Sequence, residues 1–189
     1  MPFEPKEKEP KLSDKTVNII NKCMGEKIDN EADDISRCKY KIMNELLNNQ
    51  DLLRTLHNEE YDIDKEINGD SYRNICIFNF LKLPDLKDKV KNYVCFEIND
   101  DGWGDTTEKT IIFRCVSHID DAKTDWGIPR QDLLGLIIKN MFDWSNLLGM
   151  RLVKKSDAGL FTNDGYYYRE IIYRQNDPLN TYKKIHSRG

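Results

Sequence analysis

The sequence lacks long apolar runs, glycine-rich phosphate motifs and paired cysteines, and each absence excludes a class of protein. No apolar run approaches the ~18 residues that a membrane-spanning helix needs, so no membrane partner is expected. Neither G-x-x-x-x-G-K-S/T nor G-x-G-x-x-G occurs, which argues against a loop that binds nucleotide phosphates. The three histidines and five cysteines include no C-x-x-C pair. A zinc site is therefore not expected, and no cofactor is predicted.

The five cysteines are spread along the chain and are expected to be reduced. Cys76, Cys95 and Cys115 lie in apolar, strand-like stretches, where cysteine acts as a small hydrophobic residue. The odd number of cysteines and an opening segment, MPFEPKEKEPK, without an apolar stretch predict no secretory signal and a cytoplasmic setting.

The composition favours one modest domain and no dedicated nucleic-acid surface. Of 189 residues, 39% are apolar and 33% charged, with nine Tyr, seven Phe and three Trp available for a core. The net charge is -4 and the pI is about 5.5, whereas a DNA-binding domain usually carries a dense basic face. Residues 1–70 sum to -6 and residues 71–189 to +2, so the charge is uneven along the chain.

The pattern of polar and apolar residues divides the chain into four segments. A helix is predicted from about Asp34 to Asn48, where apolar residues recur three and four positions apart, and Asp51 is expected to cap a short helical turn after it. The segments are a flexible arm at 1–12, a helical section at 13–60, the core at 71–176 and a mobile tail at 177–189.

The core is predicted to contain strands, one long helix and a closing hairpin. NICIFNFLKL, NYVCFEIND and TIIFRCVSHID read as strands. A helix from about Ile128 to Trp144 follows, with Thr124 or Asp125 as its cap and Pro129 in its first turn. RLVKKSDAGLF and YYYREIIYRQ then pair through an Asn-Asp-Gly turn.

Short connections between the strands predict the α+β class. We expect a mainly antiparallel sheet of about four to five strands, with one long packed helix and the N-terminal helical section. A parallel pair is expected only across the long helix.

No catalytic constellation stands out, and paired carboxylates are the hardest to dismiss. Cys115 and His118 are three residues apart in one strand and so face opposite sides. Glu97, Asp120 and Lys123 are the residues from which a metal-dependent nuclease site can be assembled. The alternative is that such acidic residues cap helices and solvate turns. We therefore expect a protein that is not an enzyme.

Aromatic residues near turns are the most unusual feature. Trp103 falls at a predicted hairpin tip, and Trp126 lies in the loop before the long helix. Tyr166, Tyr167 and Tyr168 open the last strand, where consecutive side chains must point to both faces. Aromatic residues in loops are typical of protein contacts, and local packing is the alternative interpretation.

Three features of residues 40–175 occur in a fixed order. A segment like IMNELLNNQDLLRTL precedes the strands, TIIFRCVSHID leads through Trp126-Gly127 into the helix start PRQDLLGLIIKNMF, and the pair RLVKK and YYYREIIYRQ closes the core. This arrangement resembles the tail-terminator and tail-completion (neck) proteins of tailed bacteriophages. The first thirty or so residues depart from this pattern, which leaves open a head-tail connector or stopper.

The resemblance implies a structural virion protein that forms a ring, usually of six subunits, between the tail tube and the head. Its implied partners are copies of itself and other tail and neck proteins, with DNA only where it passes through the lumen. Assembly would occur in the cytoplasm of the bacterial host. The implied interface residues are Trp103, Trp126, Arg130, Tyr166, Tyr167 and Tyr168. A cytoplasmic adaptor that uses the same aromatic loops is the other alternative.

Overall fold

The computed structural model describes residues 34–56, 68–83, 92–100, 109–148, 151–162 and 165–176. The predicted arm, the predicted tail and the loop that carries Trp103 lie outside the described residues. No helix among the described residues is long and apolar enough to span a membrane.

Among the described residues, two α-helices precede the sheet. Helix α1 (Asp34–Asn48) has the predicted bounds, and α2 (Gln50–Leu56) follows after one residue. The predicted cap at Asp51 is wrong, because the Asn49 side-chain oxygen accepts the Leu52 N–H at 2.9 Å and so caps α2 one residue before its start.

Five strands form one sheet, and the predicted α+β class is confirmed. Their order is β1-β2-β3-β5-β4, and every neighbouring pair is antiparallel except β1 and β2, which are parallel. The strands are β1 (Ile77–Phe78), β2 (Asn92–Asp100), β3 (Lys109–His118), β4 (Arg151–Phe161) and β5 (Tyr166–Asn176).

The position of the parallel pair was predicted wrongly. The long helix connects β3 to β4, but β4 pairs with β5, so this connection creates no parallel pair. The parallel pair is instead the two-residue β1 with β2. Of NICIFNFLKL, only Ile77 and Phe78 join the sheet, because Asn74, with a φ of 58°, lies in the turn before them and residues 79–83 belong to no strand.

Helix α3 (Arg130–Phe142) is the predicted long helix, shorter at both ends. Pro129 is its N-cap and provides no side-chain cap. The Thr124 hydroxyl donates to the Ile128 carbonyl at 2.5 Å and does not cap the helix. The helix ends at Phe142, and two residues later Trp144 has a φ of 65°, a left-handed conformation outside the helical range.

The three described α-helices cover one face of the sheet, and the main core lies between these helices and the sheet. Phe113 is at its centre, stacked on Phe142 of α3 at 4.8 Å and edge-on to Tyr173 at 6.0 Å. A smaller cluster on the opposite face joins Phe78 and Tyr93 to residues of β3 and β5. Because both faces of the sheet are covered, successive residues of β2 and β3 are buried alternately in the main core and in the smaller cluster.

Four cysteines of the described residues, Cys38, Cys76, Cys95 and Cys115, are buried and form no disulfide. Burial raises the pKa of Cys95 to about 11 and that of Cys76 to about 12. Because the thiolate is the reactive form, we expect these thiols not to react with a disulfide reagent at pH 8 while the protein is folded. In a Cys23→Ser variant, thiol titration should find no fast-reacting group before denaturation and four after it. A fast-reacting thiol in the folded variant would contradict the described core.

A partly buried ion pair holds α3 against the hairpin. The Arg169 guanidinium donates to both carboxylate oxygens of Asp157, at 2.6 and 2.8 Å, and to the Asp132 carbonyl at 3.2 Å. Gly135 of α3 leaves room for it, because a Cβ there would come 2.5 Å from the Arg169 Cδ. The hydrogen bonds from Arg169 lower the pKa of the Asp157 carboxyl below its usual value.

This lowered pKa predicts a pH-dependent stability. A carboxyl with a folded pKa below its unfolded pKa stabilises the fold above the unfolded value of about 4, and this contribution is lost as the pH falls through the folded pKa. We expect Asp157→Asn to lose about 2 kcal/mol of unfolding free energy at pH 7, and the difference from the parent to shrink below pH 4. Denaturant unfolding of both proteins at several pH values measures this difference in unfolding free energy. Asp125→Asn, at an exposed position, is the control, and a difference between parent and Asp157→Asn that does not change with pH would contradict the assignment.

Candidate interface around the Trp126 loop

The loop between β3 and α3, residues 119–129, holds Trp126 away from the core. We call it the Trp126 loop. Its start is fixed by the Ile119 N–H, which donates to the Gly165 carbonyl at 2.8 Å, and its end by the Arg130 N–H, which donates to the Ala122 carbonyl at 2.7 Å. Gly127, with a φ of 69°, provides the left-handed turn that follows Trp126. Trp126 is 80% exposed, so a fixed loop presents a large apolar ring to solvent.

Arg130 lies under this loop and is only 9% exposed. Its guanidinium donates to the Thr55 carbonyl at 2.9 Å, to the Asp121 carbonyl at 2.7 Å and to the Asp121 carboxylate at 3.2 Å. The Asn92 side-chain amide donates to the same carboxylate and to the Leu56 carbonyl. Arg130 and Asn92 thus provide hydrogen-bond donors to the last carbonyls of α2. These contacts favour a structural role for Arg130 over the interface role that the resemblance implies.

A cleft of about 920 Å³ separates the Trp126 loop from α2. Trp126 forms one wall, and Leu133 and Ile137 of α3 form an apolar part of the lining. The charged residues of the lining that have no ion-pair partner among the described residues are Asp51, Arg54, Lys123 and Asp125.

A second, smaller pocket of about 550 Å³ lies on the other side of the same loop. Its apolar lining comes from Ile119, Ile128 and Pro129, and Tyr167 of β5 borders it. Gln131, in the first turn of α3, also lines it. We call this the α3 pocket.

The three consecutive tyrosines have different environments. Tyr166 is 3% exposed and packs edge-on against His118 at 4.9 Å. Tyr168 is half-buried against the smaller core cluster. Tyr167 points to the helix side of the sheet, lines the α3 pocket and contacts the Phe161 ring at 4.7 Å. Of the three, Tyr167 is the one that lines the α3 pocket beside the Trp126 loop.

The far edge of the sheet carries a second exposed apolar surface. Among the described strands, none pairs with the outer side of β4. Its last residues, 158–161, are uncharged and include Leu160 and Phe161, which are 51% and 57% exposed. We call residues 158–161 the β4 end.

A protein-family model, YomW, matches residues 49–175 of the chain. The chain belongs to the YomW family. No curated protein and no solved structure matches it. The matched span begins just before α2 and ends in β5, so the YomW unit includes the Trp126 loop, both cavities and all five strands.

The nuclease residues predicted for this YomW chain are not brought together. Glu97 faces Ile112 across the sheet and pairs with Lys39 of α1. Asp120 follows the end of β3, about 20 Å further along at ~3.3 Å per strand residue. The described residues contain no group of three or more His, Cys, Asp or Glu placed to hold a metal ion.

Sequence reasoning found the Trp126 loop but missed the β4 end and the α3 pocket. Leu160 and Phe161 follow a charged strand and resemble ordinary strand residues, and only the strand order shows that they lie on an outer strand. Gln131 gave no signal at all, because its burial depends on a loop packing over the start of α3. Trp103 lies outside the described residues.

Proposed function

We propose that the protein is a non-enzymatic structural subunit of a ring that joins a bacteriophage tail to the head, at the tail-terminator or neck position. The observation that carries the proposal is the presence of two unlike exposed surfaces, the Trp126 cleft and the β4 end. Two different surfaces that fit each other associate head to tail, and such contacts form closed rings when the rotation allows. The resemblance to tail-terminator proteins supplies the position in the particle.

The two surfaces share no residue. The cleft is bordered by α2, whose last carbonyl is held by Asn92 of β2. The β4 end belongs to the outer strand β4, which lies three strand spacings from β2, or about 14 Å. A neighbouring subunit can therefore occupy one surface while the other remains available, as a ring requires.

The β4 end is suited to contact because it lacks the protection against pairing that the charged first half of strand β4 has. Lysines and bulges on an outer strand discourage unwanted pairing. The first half of β4 has Arg151, Lys154 and Lys155 and a bulge between Lys154 and Ser156. The β4 end lacks both features and adds exposed Leu160 and Phe161.

Charge and apolarity complement each other across the proposed contact. The cleft offers Trp126, Leu133 and Ile137 to an apolar side chain such as Phe161. Asp51 and Asp125 of the cleft have no ion-pair partner among the described residues, and neither does the exposed Lys155 of β4. Opposite charges of this kind set orientation and association rate more than affinity.

The proposed partners are other copies of the chain, forming a ring of about six, and the adjoining tail and neck proteins. The place of action is the virion, after assembly in the bacterial cytoplasm. DNA is a partner only where it passes through the lumen, and the mechanism needs neither a cofactor nor a membrane.

A mixing experiment tests the head-to-tail contact. Trp126→Asp disables the cleft and leaves the β4 end intact, whereas Phe161→Asp does the reverse. Each variant alone should stay monomeric, because both surfaces are needed to continue the chain of contacts. An equimolar mixture should give a 1:1 dimer, in which one variant's intact β4 end fills the other's intact cleft. Native mass spectrometry, with one variant isotopically labelled, measures the composition.

The control is Leu83→Asp, which places the same charge at a residue that is 74% exposed and belongs to neither surface. It should assemble like the parent. A parent that assembles while the mixture stays monomeric would contradict head-to-tail pairing. Assembly of the chain with a protein unrelated to phage particles, and with no tail component, would favour the adaptor alternative.

A further inference from the structure

We infer that the α3 pocket binds a carboxylate attached to an apolar body, a ligand that the ring proposal does not require. The pocket is mostly apolar, with Ile119, Ile128 and Pro129 in its lining. At one place the pocket meets the N-terminus of α3, where the helix dipole and one backbone N–H group without an acceptor favour a negative charge.

One backbone donor is left over at this helix start. The N–H groups of Asp132 and Leu133 both donate to the Pro129 carbonyl, at 2.9 and 3.0 Å, and the Arg130 N–H donates to Ala122. The Gln131 N–H has no acceptor among the described residues. A carboxylate oxygen in the pocket would give this donor a charge-assisted partner.

A second, independent observation is the side chain of Gln131. It lines the pocket and is 8% exposed, yet its amide oxygen accepts no hydrogen bond within the described chain. Buried side-chain amides are normally hydrogen-bonded, so this one lacks the partner that its burial calls for. Since no bond fixes the amide, either of its ends can turn to the ligand, and its NH₂ group can donate to a carboxylate.

The charges around the pocket favour an anion. Lys123 lines it and has no ion-pair partner among the described residues. Of the nearby carboxylates, Asp121 pairs with Arg130 at 3.2 Å and Asp132 lies 3.7 Å from Arg169, whereas Asp125 lines the cleft and not this pocket. Asp120 contacts His118 at 3.3 Å. The Tyr167 hydroxyl, which makes no hydrogen bond within the described chain, is a further donor beside the apolar lining.

The test uses 3-phenylpropionate and its neutral counterpart, 3-phenylpropionamide, with the ¹⁵N-labelled full chain. The acid should bind at least ten-fold more tightly than the amide. It should also move the backbone N–H resonance of Gln131 downfield, because that N–H gains an anionic acceptor. Equal binding of acid and amide, or no binding of either, would overturn the inference.

Two variants connect the binding to the named residues. Lys123→Glu should weaken acid binding at least ten-fold without affecting the fold, since Lys123 is exposed. Lys155→Glu makes the same charge change on β4 and should leave binding unchanged. If both variants weaken binding equally, the net charge of the protein and not the α3 pocket explains the binding, and the inference is overturned.

A further comparison with peptides distinguishes two sources of the carboxylate, the C-terminus of a partner chain and a free organic acid. A peptide ending in Leu-Phe with a free carboxyl group and the same peptide with an amidated end are compared with 3-phenylpropionate. Preference for the free-carboxyl peptide over the small acid assigns the pocket to the C-terminus of a partner chain. The opposite preference assigns it to a free organic acid.

Discussion

Replacing Arg130 by Met is expected to lower the free energy of unfolding by about 3 kcal/mol, because it removes the hydrogen bonds of a guanidinium that is 9% exposed and leaves the Asp121 carboxylate without a cation. Arg130 donates to the Asp121 carboxylate and to carbonyls of Thr55 and Asp121. Methionine keeps the apolar stem but makes none of these bonds. The Asp121 carboxylate would be left with only the Asn92 amide as a described donor.

Denaturant unfolding of the full chain measures this loss. Arg54→Met is the matched control, because Arg54 lies nearby in α2, is exposed and has no ion-pair partner among the described residues. It should change the unfolding free energy by less than about 0.5 kcal/mol. Arg130→Lys should not restore the parent value, since an ammonium cannot reproduce the planar fork of donors. Equal small effects of the Arg130 and Arg54 variants would contradict the structural role of Arg130.

Gly69→Ala is expected to cost about 3 kcal/mol through a steric clash with α1. Gly69 begins the short 3₁₀ turn Gly69–Tyr72, which is packed against the C-terminal half of α1. A Cβ at Gly69 would come 1.9 Å from the Leu47 carbonyl oxygen and 2.7 Å from its carbon. Both atoms are backbone, so the turn must move away from the helix, and overpacking of this kind costs about 1–3 kcal/mol.

The control for the clash is Gly159→Ala in β4. No atom lies within 4 Å of a Cβ built there, and Gly159 is exposed. This substitution should be neutral or slightly stabilising, because alanine restricts the unfolded chain more than glycine does. Thermal unfolding of both variants measures the contrast. A Gly69→Ala variant as stable as the Gly159→Ala variant would contradict the close approach of the turn to α1.

The fold could be predicted from the sequence where one element carries its own signal. The spacing of apolar residues gave the bounds of α1, and the Asn-Asp-Gly turn gave the β4–β5 hairpin. The parallel β1–β2 pair could not be predicted, because two residues carry no period and only packing against β2 defines them as a strand.

The candidate site could be predicted only in part, for a similar reason. Trp126 could be predicted because it is an aromatic residue in a loop. Arg130 carries a contact between residues 75 positions apart, to the Thr55 carbonyl, which no local pattern encodes. The exposure of Phe161 follows from the strand order, and that order depends on every pairing in the sheet.

The most direct test of the ring proposal is the mass of the purified full chain in solution, measured by light scattering over a range of concentrations at low and high salt. The proposal predicts a closed species near six chains of 22.3 kDa each. It also predicts weaker assembly at high salt, because the charges of Asp51, Asp125 and Lys155 are exposed to screening. A mass that stays at one chain at every concentration and at both salt levels would contradict the proposal.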